Sequence, residues 1–109
     1  MAIAHAVSGR AVSVLPYGAG LAQQPSTALF KTERLEVMRL VLLRGKSLPT
    51  HKVTGVITVQ CLEGVIDFTS DDGNQQLRAG DLVYLDGGVA HSLTGVEDAS
   101  ALVTIALCK

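Results

Sequence analysis

The chain has 109 residues, the size of one domain with a single hydrophobic core. An apolar fraction of 48% indicates a folded protein, and a formal net charge of −1, with nine Lys and Arg residues spread singly along the chain, argues against a nucleic acid partner. The N-terminal residues show neither a signal-peptide pattern nor a run of about 20 apolar residues, so we expect a cytoplasmic protein with no membrane partner.

Short stretches of alternating apolar and polar residues, rich in β-branched side chains, predict a series of β-strands. In chain order the predicted strands cover residues 11–15, 27–32, 35–43, 56–62, 65–70, 81–85, 91–96 and 100–107. Residues 18–26 are the single candidate for a helical turn, and Asp-Asp-Gly-Asn at 71–74 predicts a tight hairpin. Many short strands separated by Gly and Pro predict an all-β barrel or sandwich.

The two cysteines, Cys61 and Cys108, each lie within an apolar stretch that is predicted to be a strand. Their number and spacing do not match the dense cysteine pattern of a secreted, disulfide-bonded domain. We therefore predict that both are buried free thiols that pack like small apolar side chains.

Two glycine-punctuated segments carry histidines at regular spacings. In the first segment, five residues separate Gly45 from His51, and Gly64 closes the segment. In the second, Gly80 is followed by five residues, 81–85, then by Asp-Gly-Gly-Val-Ala at 86–90, and then by His91. Together these spacings resemble the two sequence motifs of the cupin family, and the 15 residues between them, 65–79, match small microbial cupins. The resemblance covers residues 45–95 and implies one cupin domain over residues 1–109. This domain would be a double-stranded β-helix, or jelly-roll barrel, with its core at about 34–108, as in short bacterial cupins of unassigned function.

The resemblance also implies four metal ligands, but two of the four positions hold aliphatic residues. Val53 stands where the second histidine of the first motif is expected, and Ile57 stands at the glutamate position. Because residues 51, 53 and 57 share a strand parity, an unbroken strand would direct all three into the barrel. His51 and His91 then supply two ligands, whereas catalytic zinc sites use three protein ligands and non-haem iron sites use two His and one carboxylate.

Other residues do not readily complete such a site. Glu63 shares the inward parity but lies six residues beyond Ile57, roughly 20 Å along a strand. Asp86 and Glu36 would reach the histidines only if the backbone departed from the usual cupin path. We therefore predict no cofactor, and a divalent metal held by His51 and His91 stays an alternative.

Charged and aromatic residues near the predicted barrel interior are further pocket candidates. Arg39 interrupts an apolar strand, so either Arg39 or Glu36 shares the inner wall, depending on which parity faces inward. An inward arginine would suit an anionic ligand such as a carboxylate, while an outward one would lie on the surface or at a dimer interface. Tyr84 offers a hydroxyl to the pocket or packs in the core. The candidate ligand-binding residues are His51, His91, Val53, Ile57, Arg39 and Tyr84.

Two functions are consistent with this pattern. The first is binding of a small organic ligand in the barrel, without the full metal site, because a few polar groups in an apolar cavity are typical of small-molecule pockets. The alternative is an enzyme, either a metal-dependent oxygenase or isomerase with a reduced ligand set around His51 and His91, or a metal-free catalyst with a histidine as general base. We also predict a homodimer, with strands in residues 10–32 at the interface, since weakly charged edge strands tend to pair.

Overall fold

Strands make up most of the protein. The computed structural model describes residues 6–51 and 53–107. Within these ranges a 3₁₀ helix, Gly18–Gln23, is followed by strands β1 (Thr27–Lys31), β2 (Leu35–Leu42), β3 (Ser47–His51), β4 (Ile57–Ser70), β5 (Gly73–Arg78), β6 (Leu82–Leu85) and β7 (His91–Ala106). No helix in these two ranges is long and apolar enough to cross a membrane.

The two longest strands, β4 and β7, pair with each other in antiparallel register along most of their length and bend together. The register shifts between residues 61 and 66 of β4, where Gly64 adopts a φ of +77°. A Cβ atom at Gly64 would lie 2.1 Å from the carbonyl oxygen of Asp98 on β7. Both the positive φ and this close approach of the backbones require glycine, so Gly64 allows the irregularity at which the paired strands change direction.

The bend gives the two halves of each long strand different neighbours. On one side β2 pairs with residues 99–106 of β7, and β6 pairs with residues 57–60 of β4. On the other side β3 pairs with residues 91–94 of β7, and β5 pairs with residues 65–70 of β4. The seven strands therefore form one antiparallel sheet that the bend divides into two parts, β1-β2-β7-β4-β6 and β3-β7-β4-β5, joined through the long strands and enclosing one core.

Alternate residues of the long strands form that core. It includes Phe68, Ile66 and Val59 of β4, which are almost fully buried. Cys61 is also in the core, with 0% of its surface exposed and no disulfide, which confirms the prediction of a buried thiol. Burial raises the pKa of the Cys61 thiol, because the thiolate would lose its hydration there. Cys108 lies outside the described residues.

Most predicted strands are confirmed, with instructive differences. The predicted strands at 56–62 and 65–70 are one continuous strand, β4, and those at 91–96 and 100–107 are one strand, β7, because pairing continues through the irregularities. The hairpin at 71–74 and the helical turn after residue 18 are present. The predicted strand at 11–15 is wrong: its residues alternate but form no ladder. Strand β5 was missed because it is an edge strand with a single buried residue, Leu77.

Candidate functional site

A cavity of about 400 Å³ lies inside the barrel, on the side where β2, β3 and the adjoining parts of β4 and β7 face one another. Residues of one parity from each strand reach it, since successive side chains of a strand point to opposite faces. Among the described residues, the wall is formed by Met38, Leu40, Leu48, Val53, Ile57, Val59, His91, Leu93, Val103 and Ile105. Nine of these ten side chains are apolar.

His91 is the polar member of this wall. Its side chain is 3% exposed, and its ring stacks on Phe68 with 6.1 Å between ring centroids and 22° between ring planes. Nδ1 lies 3.1 Å from the carbonyl oxygen of Val89. Because a carbonyl oxygen can only accept a hydrogen bond, Nδ1 carries the hydrogen of this bond and donates the bond to the carbonyl of Val89. This hydrogen bond holds the ring in one orientation.

Two loops meet at this end of the barrel and hold Val53 and His91 in place. The backbone N–H of Gly88 donates to the carbonyl of Val53 at 2.7 Å. Next to it, a Cβ atom on Gly87 would lie 2.1 Å from the carbonyl oxygen of Thr54, so the contact between the loops requires glycine at 87. Gly87 and Gly88 of the second histidine segment therefore serve the packing of the loop that leads into His91.

His51 is the cross-strand partner of His91 in the β3–β7 register. The side chain of His51 lies outside the described residues, whereas Val53 and Ile57, at the positions where the resemblance implies metal ligands, line the cavity. In the described part of the chain, no three His, Cys, Asp or Glu side chains come together as a possible metal site. Aliphatic side chains have no lone pairs to donate, so the described wall does not fit the four-ligand cupin metal site.

Two predicted pocket residues, Arg39 and Tyr84, do not line the cavity, so their predicted place in the pocket is wrong. Met38 and Leu40 of β2 line the cavity, so strand alternation directs Arg39, between them, to the opposite face of the sheet. On β6, Val83 and Leu85 pack against the core, so strand alternation directs Tyr84, between them, outward. Tyr84 is 65% exposed and lies outside the barrel, near Asp86. Neither side chain is available to a ligand in the cavity.

Arg39 instead belongs to a buried polar cluster on the outer face of the sheet. One guanidinium nitrogen, Nη2, donates to Glu63 Oε2 at 3.2 Å, to Ser100 Oγ at 3.2 Å and to the carbonyl of Leu15 at 2.7 Å. The guanidinium also lies over the ring of Tyr17, 3.7 Å from its centroid. Arg39 is only 3% exposed, so these contacts replace part of its hydration, whereas its buried Nε has no hydrogen-bond partner among the described residues.

Glu63 anchors the N-terminal segment to the same cluster. Its carboxylate accepts hydrogen bonds from Ser100 Oγ at 2.5 Å and from the backbone N–H groups of Tyr17 and Gly18 at 3.0 and 3.1 Å. Burial on its own raises the pKa of Glu63, but these hydrogen bonds and the charge of Arg39 outweigh it and lower the pKa below its ordinary value. Sequence reasoning missed this cluster, although single charged residues in otherwise apolar strands were its signal.

Three solved structures are similar to this one over most of its length. A conserved Streptococcus pyogenes protein of unknown function aligns with 21% identity and a TM-score of 0.77, over 100% of this chain and 99% of that one. An RmlC-like cupin protein from Desulfovibrio desulfuricans aligns with 22% identity and a TM-score of 0.75, over 90% and 97%. A cupin superfamily protein from Desulfitobacterium hafniense aligns with 19% identity and a TM-score of 0.74, over 91% and 100%.

No protein-family model matches the chain, and no curated protein sequence matches it. At identities of 19–22% the similarity of the three structures establishes the fold. The antiparallel pairing of β4 with β7 and the two parts of the sheet that they join agree with this assignment. The protein therefore has an all-β, RmlC-like cupin fold.

Proposed function

We propose that this barrel binds a small organic molecule in its cavity, with no metal ion as part of the site. The observation that carries the proposal is the cavity wall: a space of about 400 Å³ is lined by aliphatic residues at positions 53 and 57, where the resemblance implies metal ligands. This volume lies within the range of about 300–1,000 Å³ that is usual for small-molecule sites.

The chemistry of the wall favours an organic ligand over an ion. Apolar surface that leaves water on binding contributes roughly 25 cal/mol per Å², and the wall offers such surface from four strands. A metal ion, in contrast, must exchange its hydration shell for lone-pair donors. In the described wall, only the ring of His91 and the thioether sulfur of Met38 carry such donor atoms, and the orientation of the ring is set by Val89.

One observation favours the alternative function, a metal-dependent enzyme. The β3–β7 register places His51 directly opposite His91, so the backbone brings two histidine positions together at the cavity. Such a pair is the minimum from which a reduced metal site could be built, with solvent or substrate as further ligands. Measurement of the metal content therefore has to accompany any search for organic ligands.

The first experiment compares the metal content of untagged protein, purified without chelators, with that of a His51→Ala, His91→Ala double variant, by elemental mass spectrometry. Near-stoichiometric metal that is lost in the double variant would replace our proposal with the metal-dependent alternative. Metal-free protein in both samples agrees with the proposal.

The second experiment is a thermal-shift screen of small organic compounds, both neutral and charged, since a ligand that binds only the folded state raises Tm. Val53→Phe fills part of the cavity and is expected to abolish the shift. Val56→Phe is the matched control, because Val56 is 44% exposed and does not line the cavity. The proposal is wrong if no compound raises Tm, or if the compounds that do so stabilise Val53→Phe equally.

A further inference from the structure

The cavity wall also carries information about the ligand's charge. None of the ten described wall residues is an Asp, Glu, Lys or Arg. The buried arginine that an anionic ligand would need, Arg39, faces away from the cavity and is already paired with Glu63. A charged ligand would therefore leave water without gaining a counter-ion from the described wall, and an unpaired charge is costly to bury.

His91 does not change this conclusion. Its Nδ1–H is donated to the carbonyl of Val89, so this edge of the ring offers no donor to an anion. One face of the ring lies toward Phe68 in the core. This ring nitrogen is thus held by the protein itself, and the remaining nine side chains of the described wall are apolar.

The cavity volume sets the size of the ligand. A closed apolar cavity of about 150 Å³ is large enough to bind benzene. The cavity here, about 400 Å³, is more than twice as large. It has room for two fused aromatic rings or for an aliphatic chain of comparable bulk.

We infer that the ligand of this cavity is a neutral, predominantly apolar molecule, about the size of a two-ring aromatic compound or a medium-length alcohol. The inference rests on the proposed function and narrows it, because it excludes the carboxylates, phosphates and amines that a general small-molecule pocket could accept. It also separates this barrel from one whose ligand is recognised through charge.

The test uses compounds that share a skeleton and differ in charge. The full-length protein is titrated near neutral pH with 1-octanol, octanoate and octylammonium, and with 2-naphthol and 2-naphthoate, and Kd is measured by protein-observed NMR. We expect each neutral compound to bind at least about tenfold more tightly than its charged partners. Binding should be lost in Val53→Phe and retained in Val56→Phe. Leu48→Phe, from another part of the wall, provides a second cavity-filling variant should Val53→Phe fail to fold.

The outcomes separate this inference from the proposed function. If octanoate, octylammonium or 2-naphthoate binds as tightly as its neutral partner, and Val53→Phe abolishes that binding, the charge class is wrong while the proposed function stands. If none of the five compounds binds but polar compounds from the thermal-shift screen do, the inference is again overturned. If none of the five binds and the screen also finds nothing, both fail.

Discussion

Replacement of Glu63 by alanine is expected to destabilise the protein by about 3–5 kcal/mol, the usual cost of removing one partner of a buried ion pair. The carboxylate of Glu63 is the counter-ion of Arg39, whose side chain is 4% exposed. Without it, the guanidinium would stay charged and buried, with neutral oxygens from Leu15 and Ser100 as its remaining acceptors. The backbone N–H of Tyr17 would also lose its acceptor, which weakens the attachment of the N-terminal segment.

The expected change in melting temperature follows from the size of the chain. An unfolding entropy of about 2.1 cal/mol/K per residue gives about 0.23 kcal/mol/K for 109 residues. A loss of about 3–5 kcal/mol therefore corresponds to a decrease in Tm of about 13–22 °C. Since domains of this size are stable by about 5–15 kcal/mol, the variant is expected to fold but to unfold at a much lower urea concentration.

Urea denaturation followed by circular dichroism measures this effect, with Glu97→Ala as the control. Glu97 is an exposed glutamate on β7, and its removal should change the stability by less than about 0.5 kcal/mol. The double variant Arg39→Leu, Glu63→Leu removes both charges and should recover part of the loss. The reasoning is refuted if Glu63→Ala loses less than about 1 kcal/mol, the value typical of a surface ion pair, or if the double variant is less stable than Glu63→Ala.

The remaining predictions concern pH, the thiol, the strand bend and assembly. Because the folded-state pKa of Glu63 is lowered, its ionised carboxylate contributes fully to the folding free energy above pH 4.5, the ordinary pKa, and this contribution is lost as the pH falls through the folded-state pKa. The difference in unfolding free energy between the wild type and Glu63→Gln should therefore shrink below pH 4.5. A difference that grows below pH 4.5 would contradict this prediction. In a Cys108→Ser background, Cys61 should react with a thiol reagent only after unfolding, and rapid labelling of the native protein would show that the thiol is accessible. Gly64→Ala should cost at least about 2 kcal/mol by urea denaturation, whereas Gly20→Ala, with open space around the added Cβ, should not be destabilising to that extent. Light scattering at micromolar concentration should give the mass of a homodimer, and a monomeric mass would refute that prediction.

Local sequence patterns were sufficient to predict the fold class. Alternating apolar and polar residues mark strands because successive side chains of a strand face opposite sides, so one buried face leaves a period of two in the sequence. The spacing of Gly45, Gly64, Gly80 and the two histidines resembled the cupin motifs, and the structure has that fold. The alternation at residues 11–15 was misleading, because no strand in residues 6–51 and 53–107 pairs with this segment.

Only the tertiary structure decided which face of each strand is inside. Parity in the sequence states that Glu36 and Arg39 lie on opposite faces of β2, but the two assignments are equivalent until Met38 and Leu40 are seen to line the cavity. The cluster around Glu63 is likewise visible only in the tertiary structure. Its partners Arg39 and Tyr17 are 24 and 46 residues away from Glu63 along the chain. Composition and spacing are local properties, whereas the orientation of a strand and the partners of a buried charge depend on which distant segments pack against it.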